Sequence, residues 1–215
     1  MRNSIRVTVM IATLFLCGTT ASLGDETHSE SLIMFQPQEI EKDFQGMGIT
    51  RDKAFQIDKQ KYVVSGNDGK EGSENDYGIR LFVIENNEVI FRSKGMMDSW
   101  YLNLSFFSSK DSRKEILILA EGGDEAGSYG FVVYELKNSQ VKGIGYIDAA
   151  IRGNQEYFSS AVPFVEIAER ADGYVFTFTR DVAVRDKRTY KYETISRQSI
   201  RYIYDGKENI KEVFE

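Results

Sequence analysis

Two stretches of this chain superpose without a gap. Residues 77–89, opening Tyr77-Gly78 and reaching Asn86-Asn87, lie over residues 129–141, opening Tyr129-Gly130 and reaching Asn138-Ser139, at an offset of 52. Ahead of each Tyr-Gly comes an apolar run and then a Gly-rich acidic loop, at 62–68 in one copy and 119–124 in the other. A looser third copy runs from Phe164 through Tyr174 to Phe178 and resumes from Ile200 to Val213. Copies of one strand-and-turn unit at a period near 50 cannot each bury an apolar face alone, so they must stack on their neighbours. The repeats span about 47–95, 99–148 and 160–213, within one β-rich domain over 32–215.

Within the copies, apolar residues recur with period two. Leu102, Leu104 and Phe106 alternate with Asn103 and Ser105, as in a strand buried on one face. Trp100 is in phase with them and is expected in the core. Ile116-Leu117-Ile118-Leu119 is continuously apolar, the pattern of a strand covered on both faces, and 131–134 and 174–178 are rich in β-branched and aromatic residues. Asn86-Asn87, Asn138-Ser139 and Asp205-Gly206 read as hairpin turns. Residues 58–60, 109–113 and 170–173 read as the turn in the first hairpin of each copy. The expectation is an all-β fold of three consecutive, mostly four-stranded antiparallel sheets, arranged as an incomplete propeller, with a β-sandwich as the alternative. One helix is expected, at 37–46, with Pro37 at its start and Gly46 at its end.

Residues 111–118, Gly122-Gly123, Tyr129-Gly130 and 133–136 resemble a blade of the FG-GAP/VCBS propeller group. The resemblance implies a calcium-binding loop before the second strand. Here that stretch, 108–113, keeps a single carboxylate, Asp111, and the equivalents at 58–61 and 170–173 are no richer. Calcium takes six to eight oxygen ligands, several from carboxylates, so no metal is expected.

Composition narrows the function. The 215 residues carry 27 Lys+Arg against 33 Asp+Glu, a formal charge of -6, with one Cys and one His. One cysteine excludes a disulfide framework, Cys and His are too few for a zinc cluster, and the acidic balance argues against nucleic acid. At the front, Arg2 and Arg6 precede an apolar run over 7–17 and small residues to Ala21. This is the layout of a signal peptide over 1–21, followed by a polar tail over 22–31. The run is short of the ~20 residues that span a bilayer, so no stable membrane span is expected after processing. The alternatives are lipidation at Cys17, although Leu16 stands where a lipobox wants a small residue, and an uncleaved anchor. Cleavage would leave a periplasmic or secreted protein that is free of cysteine and more acidic.

Recognisable chemistry is sparse. The common nucleophilic triads need a His base, and His28 lies in the tail. Glu121, Asp124 and Glu125 are the best carboxylates for glycosidase chemistry, against the plainer reading of a solvated loop. The loop at 66–76 carries Asp68, Glu71, Glu74 and Asp76. By the repeat alignment it emerges on the same rim as 121–128, with Tyr77 and Tyr129 in equivalent places. The rim Asp68, Glu71, Glu74, Asp76, Glu121, Asp124, Glu125, Tyr77 and Tyr129 is therefore the candidate binding site, suited to steering a basic partner, against the plainer reading of two solvated hairpin loops with structural tyrosines. Asn103-Leu104-Ser105 matches a glycosylation sequon but lies inside a strand pattern. The expected function is protein binding without catalysis or cofactor, as by an inhibitor or immunity protein against an envelope enzyme. The alternative is a glycan- or solute-binding module.

Overall fold

The computed structural model describes residues 30–70, 72, 76–110, 112–153, 157–186, 188–189 and 191–215. They form an all-β protein with several sheets, none closed into a barrel, and no α-helix among the described residues. The first sheet is an up-and-down run of β3 (Thr50–Asp58), β4 (Lys61–Asn67), β5 (Arg80–Glu85) and β6 (Glu88–Arg92), with β2 (Gln38–Glu39) added at the β3 edge. The second repeats this order with β7 (Tyr101–Ser108), β8 (Glu115–Asp124), β9 (Gly127–Lys137) and β10 (Gln140–Ile147). In the third, β13 (Val165–Arg170) and β14 (Gly173–Phe178) are followed by β17 (Ile200–Tyr204) and β18 (Lys211–Phe214).

The remaining strands tie these sheets together. β1 (Glu30–Phe35) changes sheets along its length: Leu32 pairs with Ile167 on β13, and Ile33 pairs with Ser108 on β7. β11 (Ala150–Arg152), β12 (Phe158–Ser160), β15 (Val182–Arg185) and β16 (Tyr192–Ile195) make a small insert sheet. It hangs on β9 through one parallel pair, Phe158 with Gly127.

The turns are local chemistry. Asn86-Asn87 and Asn138-Ser139 all have positive φ, which the right-handed twist of a two-residue hairpin demands. Gly78 and Gly130 have φ of 93° and 101°, and the repeat gives both the same task. A Cβ at Gly78 would press on the carbonyl oxygen of Met96, just beyond β6, and one at Gly130 would collide with that of Ile147, at the end of β10. Only glycine lets the chain pass so close.

Three apolar clusters hold the stack. Phe55, Val63 and Leu81 of the first sheet pack against Leu104, Ile116 and Ile118 of the second. The opposite face of the second sheet, with Leu117, Leu119 and Val133, packs on Ile167, Phe176 and Tyr202 of the third. The alternation along 116–119 thus feeds both cores, and all four side chains are buried. Each such side chain contributes roughly 1.5–3 kcal/mol. The outer face of the first sheet is closed by Ile40, Phe44 and Ile49.

That last contact replaces the expected helix at 37–46. Gln38 and Glu39 pair with β3, Phe44 is driven into the sheet, and a single 3-10 turn follows at Gln45–Met47. Gly48, not Gly46, adopts the left-handed conformation that ends it.

Trp100 requires a second correction. It is 69% exposed. β7 starts at Tyr101, so Trp100 keeps the phase of Leu102 but lies one residue past the covered part of the ladder. The tail reading is also shortened, because Glu30 and Ser31 pair with Glu169 and Ala168. The expected leader over 1–21 with Cys17, the rest of the tail with His28, Glu71, Glu74 and Asp111 lie outside the described residues.

Candidate functional site

The loop after β4 and the tip between β8 and β9 reach the same end of the stack, with the connector over 93–100 between them. Gly95 lies against the backbone of Tyr77, and Met96 bridges to Ile79. On the other side, Gly122 is packed by Met96 and Ser99, and the Trp100 amide donates to the Gly123 carbonyl at 2.8 Å. The two equivalent tyrosines each donate to an aspartate: Tyr77 to Asp98 at 3.0 Å, and Tyr129 to Asp124.

The expected rim carboxylates that lie within the described residues, joined by Asp98, which the sequence did not single out, divide into three groups. Asp68 and Asp76 are not free charges. Arg80 is 1% exposed, and its guanidinium lies 3.4 Å from Asp68 and closer still to Asp76. Arg92 completes the cluster at 2.6 Å from Asp68 and 3.7 Å from Asp76. Burial alone would raise the Asp68 pKa, but the Arg92 hydrogen bond, the Lys70 amide and both cations outweigh it and hold the carboxyl below 3.8. Asp76 is lowered too, chiefly by its bond to Arg80 and by the Gly95 amide. Two aspartates against two arginines leave no excess negative charge.

Glu121 forms the second group, and its place on the rim is also corrected. β8 continues to Asp124, so Glu121 is still within the ladder, opposite Phe131, and is only 5% exposed. The Ser128 hydroxyl donates to it at 2.6 Å, and Ser160 also bonds it. Burial outweighs both bonds and raises its pKa. A carboxyl closed off in this way cannot meet a sugar together with Asp124 or Glu125, so that pairing has no common surface.

The third group differs in its surroundings. Among the described residues no cation comes within ion-pair distance of Asp98, Asp124 or Glu125. Around them the fold gathers aromatic side chains that the sequence alone left scattered. Tyr101 lies against Gly123, and the Tyr146 hydroxyl donates to the Tyr129 carbonyl. The Tyr192 and Phe158 rings meet at 4.2 Å between centroids, tilted by 33°, next in sequence to Tyr157. The Tyr101 hydroxyl is pushed up to about 12 by burial and then by the charge of Glu121. Met97, Trp100, Tyr146 and Tyr157 remain 40%, 69%, 45% and 51% exposed.

The face thus sets exposed Met97, Trp100, Tyr146 and Tyr157 beside Asp98, Asp124 and Glu125. Among the described residues no group of three or more His, Cys, Asp or Glu is arranged to hold a metal ion, and no helix is long and apolar enough to cross a membrane. Comparison of the chain with protein-family models, with curated proteins and with solved structures finds no match.

Proposed function

We propose that this is an exported, non-enzymatic envelope protein that binds another protein, a basic one, in the manner of an inhibitor or immunity protein. One observation carries the reading: Met97, Trp100, Tyr146 and Tyr157 stand exposed around the β8–β9 tip, beside Asp98, Asp124 and Glu125. Large aromatic side chains lose little entropy on docking and give most of the binding energy at interfaces, whereas rim charges set the approach. Affinity capture from envelope extract tests it. The wild-type chain is expected to retain a basic protein that a Trp100→Ala, Tyr157→Ala double variant releases. Equal retention by both would remove this face from the function.

The close, tilted pair of Phe158 and Tyr192 rings favours a second reading, a glycan- or solute-binding module. A sugar or solute co-purifying in place of a protein would select it. In either reading the three up-and-down sheets are successive blades of an incomplete propeller of the FG-GAP/VCBS kind. The like placement of Gly78 and Gly130 supports this. An experimental structure with those glycines in unlike positions of their sheets would remove the repeat on which it stands.

A further inference from the structure

Away from the loop-end face, a cavity of about 270 Å³ opens between the second and third sheets, where β8 begins and β14 follows its turn. Tyr174 of β14 reaches across this seam. Its hydroxyl contacts two carboxyls on the facing sheet, Glu115 on β8 and, at 3.0 Å, Glu135 on β9. Glu115 and Glu135 are also within hydrogen-bond reach of each other.

The protons can be counted. A phenol has one to give, and an ionised carboxylate has none. Glu115 accepts the Tyr174 proton through the shorter contact, and Lys137 lies 2.5 Å from its other oxygen, which marks Glu115 as the anion. The contact between Glu135 and Tyr174 is then a hydrogen bond only if Glu135 carries a proton. That proton goes to the phenol oxygen or to Glu115. Without it, two carboxylates and a phenol oxygen face one another in a partly closed seam.

We propose that Glu115, Glu135 and Tyr174 form a one-proton clasp between the second and third sheets, fastened while Glu135 is protonated and loosened when it ionises. The surroundings favour the proton. Lys137 on β9 is committed to Glu115, and Lys142 on β10 donates to the Tyr204 hydroxyl of β17 at 2.7 Å. Glu169 on β13 adds a third carboxyl, itself raised by burial and by Glu115 and Glu30. Arg170 and Asp172, at the β13–β14 turn, line the mouth as opposite charges. For Glu135, burial comes first and, with Glu115, lifts the pKa above 4.5 against the lowering effect of the Tyr174 bond; for Glu115, burial is outweighed by Lys137 and Tyr174.

The sign follows. A carboxyl whose folded pKa is raised stabilises the fold below its ordinary pKa and loses that contribution as pH rises through the folded value. The clasp therefore weakens upward from pH 4.5. Carboxyl carbon shifts of the unmutated protein, followed by NMR through a pH titration, read Glu135 directly. An upward-shifted midpoint is expected, and a midpoint at or below 4.5 overturns the proposal. Urea unfolding gives an independent reading. Glu135→Gln supplies a fixed donor, so the difference in midpoint between this variant and wild type should grow in the variant's favour from about pH 4.5 to 8. Glu169→Gln should leave the Glu135 titration standing. A Glu135→Gln midpoint that tracks wild type across that range would show that no clasp titrates there.

Discussion

Arg80 heads the fully buried side chains by volume, a charged residue among phenylalanines and leucines. Its guanidinium is tolerable there because Asp68 and Asp76 face it and Arg92 is shared between them. Breaking such a set leaves a charge out of water without a counterion. Asp68→Asn is expected to cost about 3 kcal/mol, measured as a lowered urea midpoint at pH 7. Both aspartates titrate below 3.8 in the fold, so their contribution is present above that value and disappears as pH falls through the folded pKa. Wild type and variant should therefore converge in acid. Trp100 makes the opposite forecast. Its emission should resemble that of free indole and be quenched by iodide, and Trp100→Ala should change stability by less than about 0.5 kcal/mol. A blue-shifted emission shielded from quencher would return it to the core.

At the scale of strands, glycines in the same strand pair differ in what they do. Gly130 has positive φ and no room beside the Ile147 carbonyl, so Gly130→Ala should cost about 2 kcal/mol or more. Gly143, on the partner strand β10, has only the Tyr134 ring near it, at 3.5 Å, an ordinary contact. Gly143→Ala should be neutral or stabilise by about 0.5 kcal/mol through the unfolded chain. Thermal unfolding of the two variants checks both signs together. The insert strands β15 and β16 are tied into the neighbouring ladder only by the pair Ala150 with Ala183, although Val182 and Val184 pack into the main core. Their amides should exchange with deuterium well before those of β8 and β9, which are ladder-bonded on both sides. Equal protection would mean that the insert sheet opens only with the whole protein.

Over the whole molecule, charge is distributed by pairing rather than by count. The formal charge of -6 says nothing about where the excess lies. Pairing offsets Asp68 and Asp76, burial takes Glu121 off the surface, and Asp98, Asp124 and Glu125 stand around the β8–β9 tip. If that tip meets a basic partner, reversing these three to Lys should slow association and flatten its salt dependence, since steering acts over a Debye length of about 8 Å. Stopped-flow mixing at two ionic strengths measures this. An unchanged rate would reduce the tip to a solvated edge.

The chain by itself determined what depends on neighbours in sequence. Period-two patterning set the β class, the continuous run 116–119 announced a strand covered on both faces, and Asn86-Asn87 and Asn138-Ser139 supplied the left-handed turns. These are short-range effects of side-chain direction and backbone sterics, so a local reading reaches them. Other outcomes belonged to the stacking of sheets. Phe44 left a helical pattern because a sheet face needed covering, and Trp100 lost its cover because the ladder stops one residue later. Asp68 found Arg92 from 24 residues away, and Tyr174 found Glu115 from 59. Tyr101, Tyr129, Tyr146, Tyr157 and Tyr192 converge from separate strands and connections only when the insert sheet folds back on β9. Burial and electrostatic pairing are properties of space rather than of spacing, and only the tertiary structure sets the distances on which they depend.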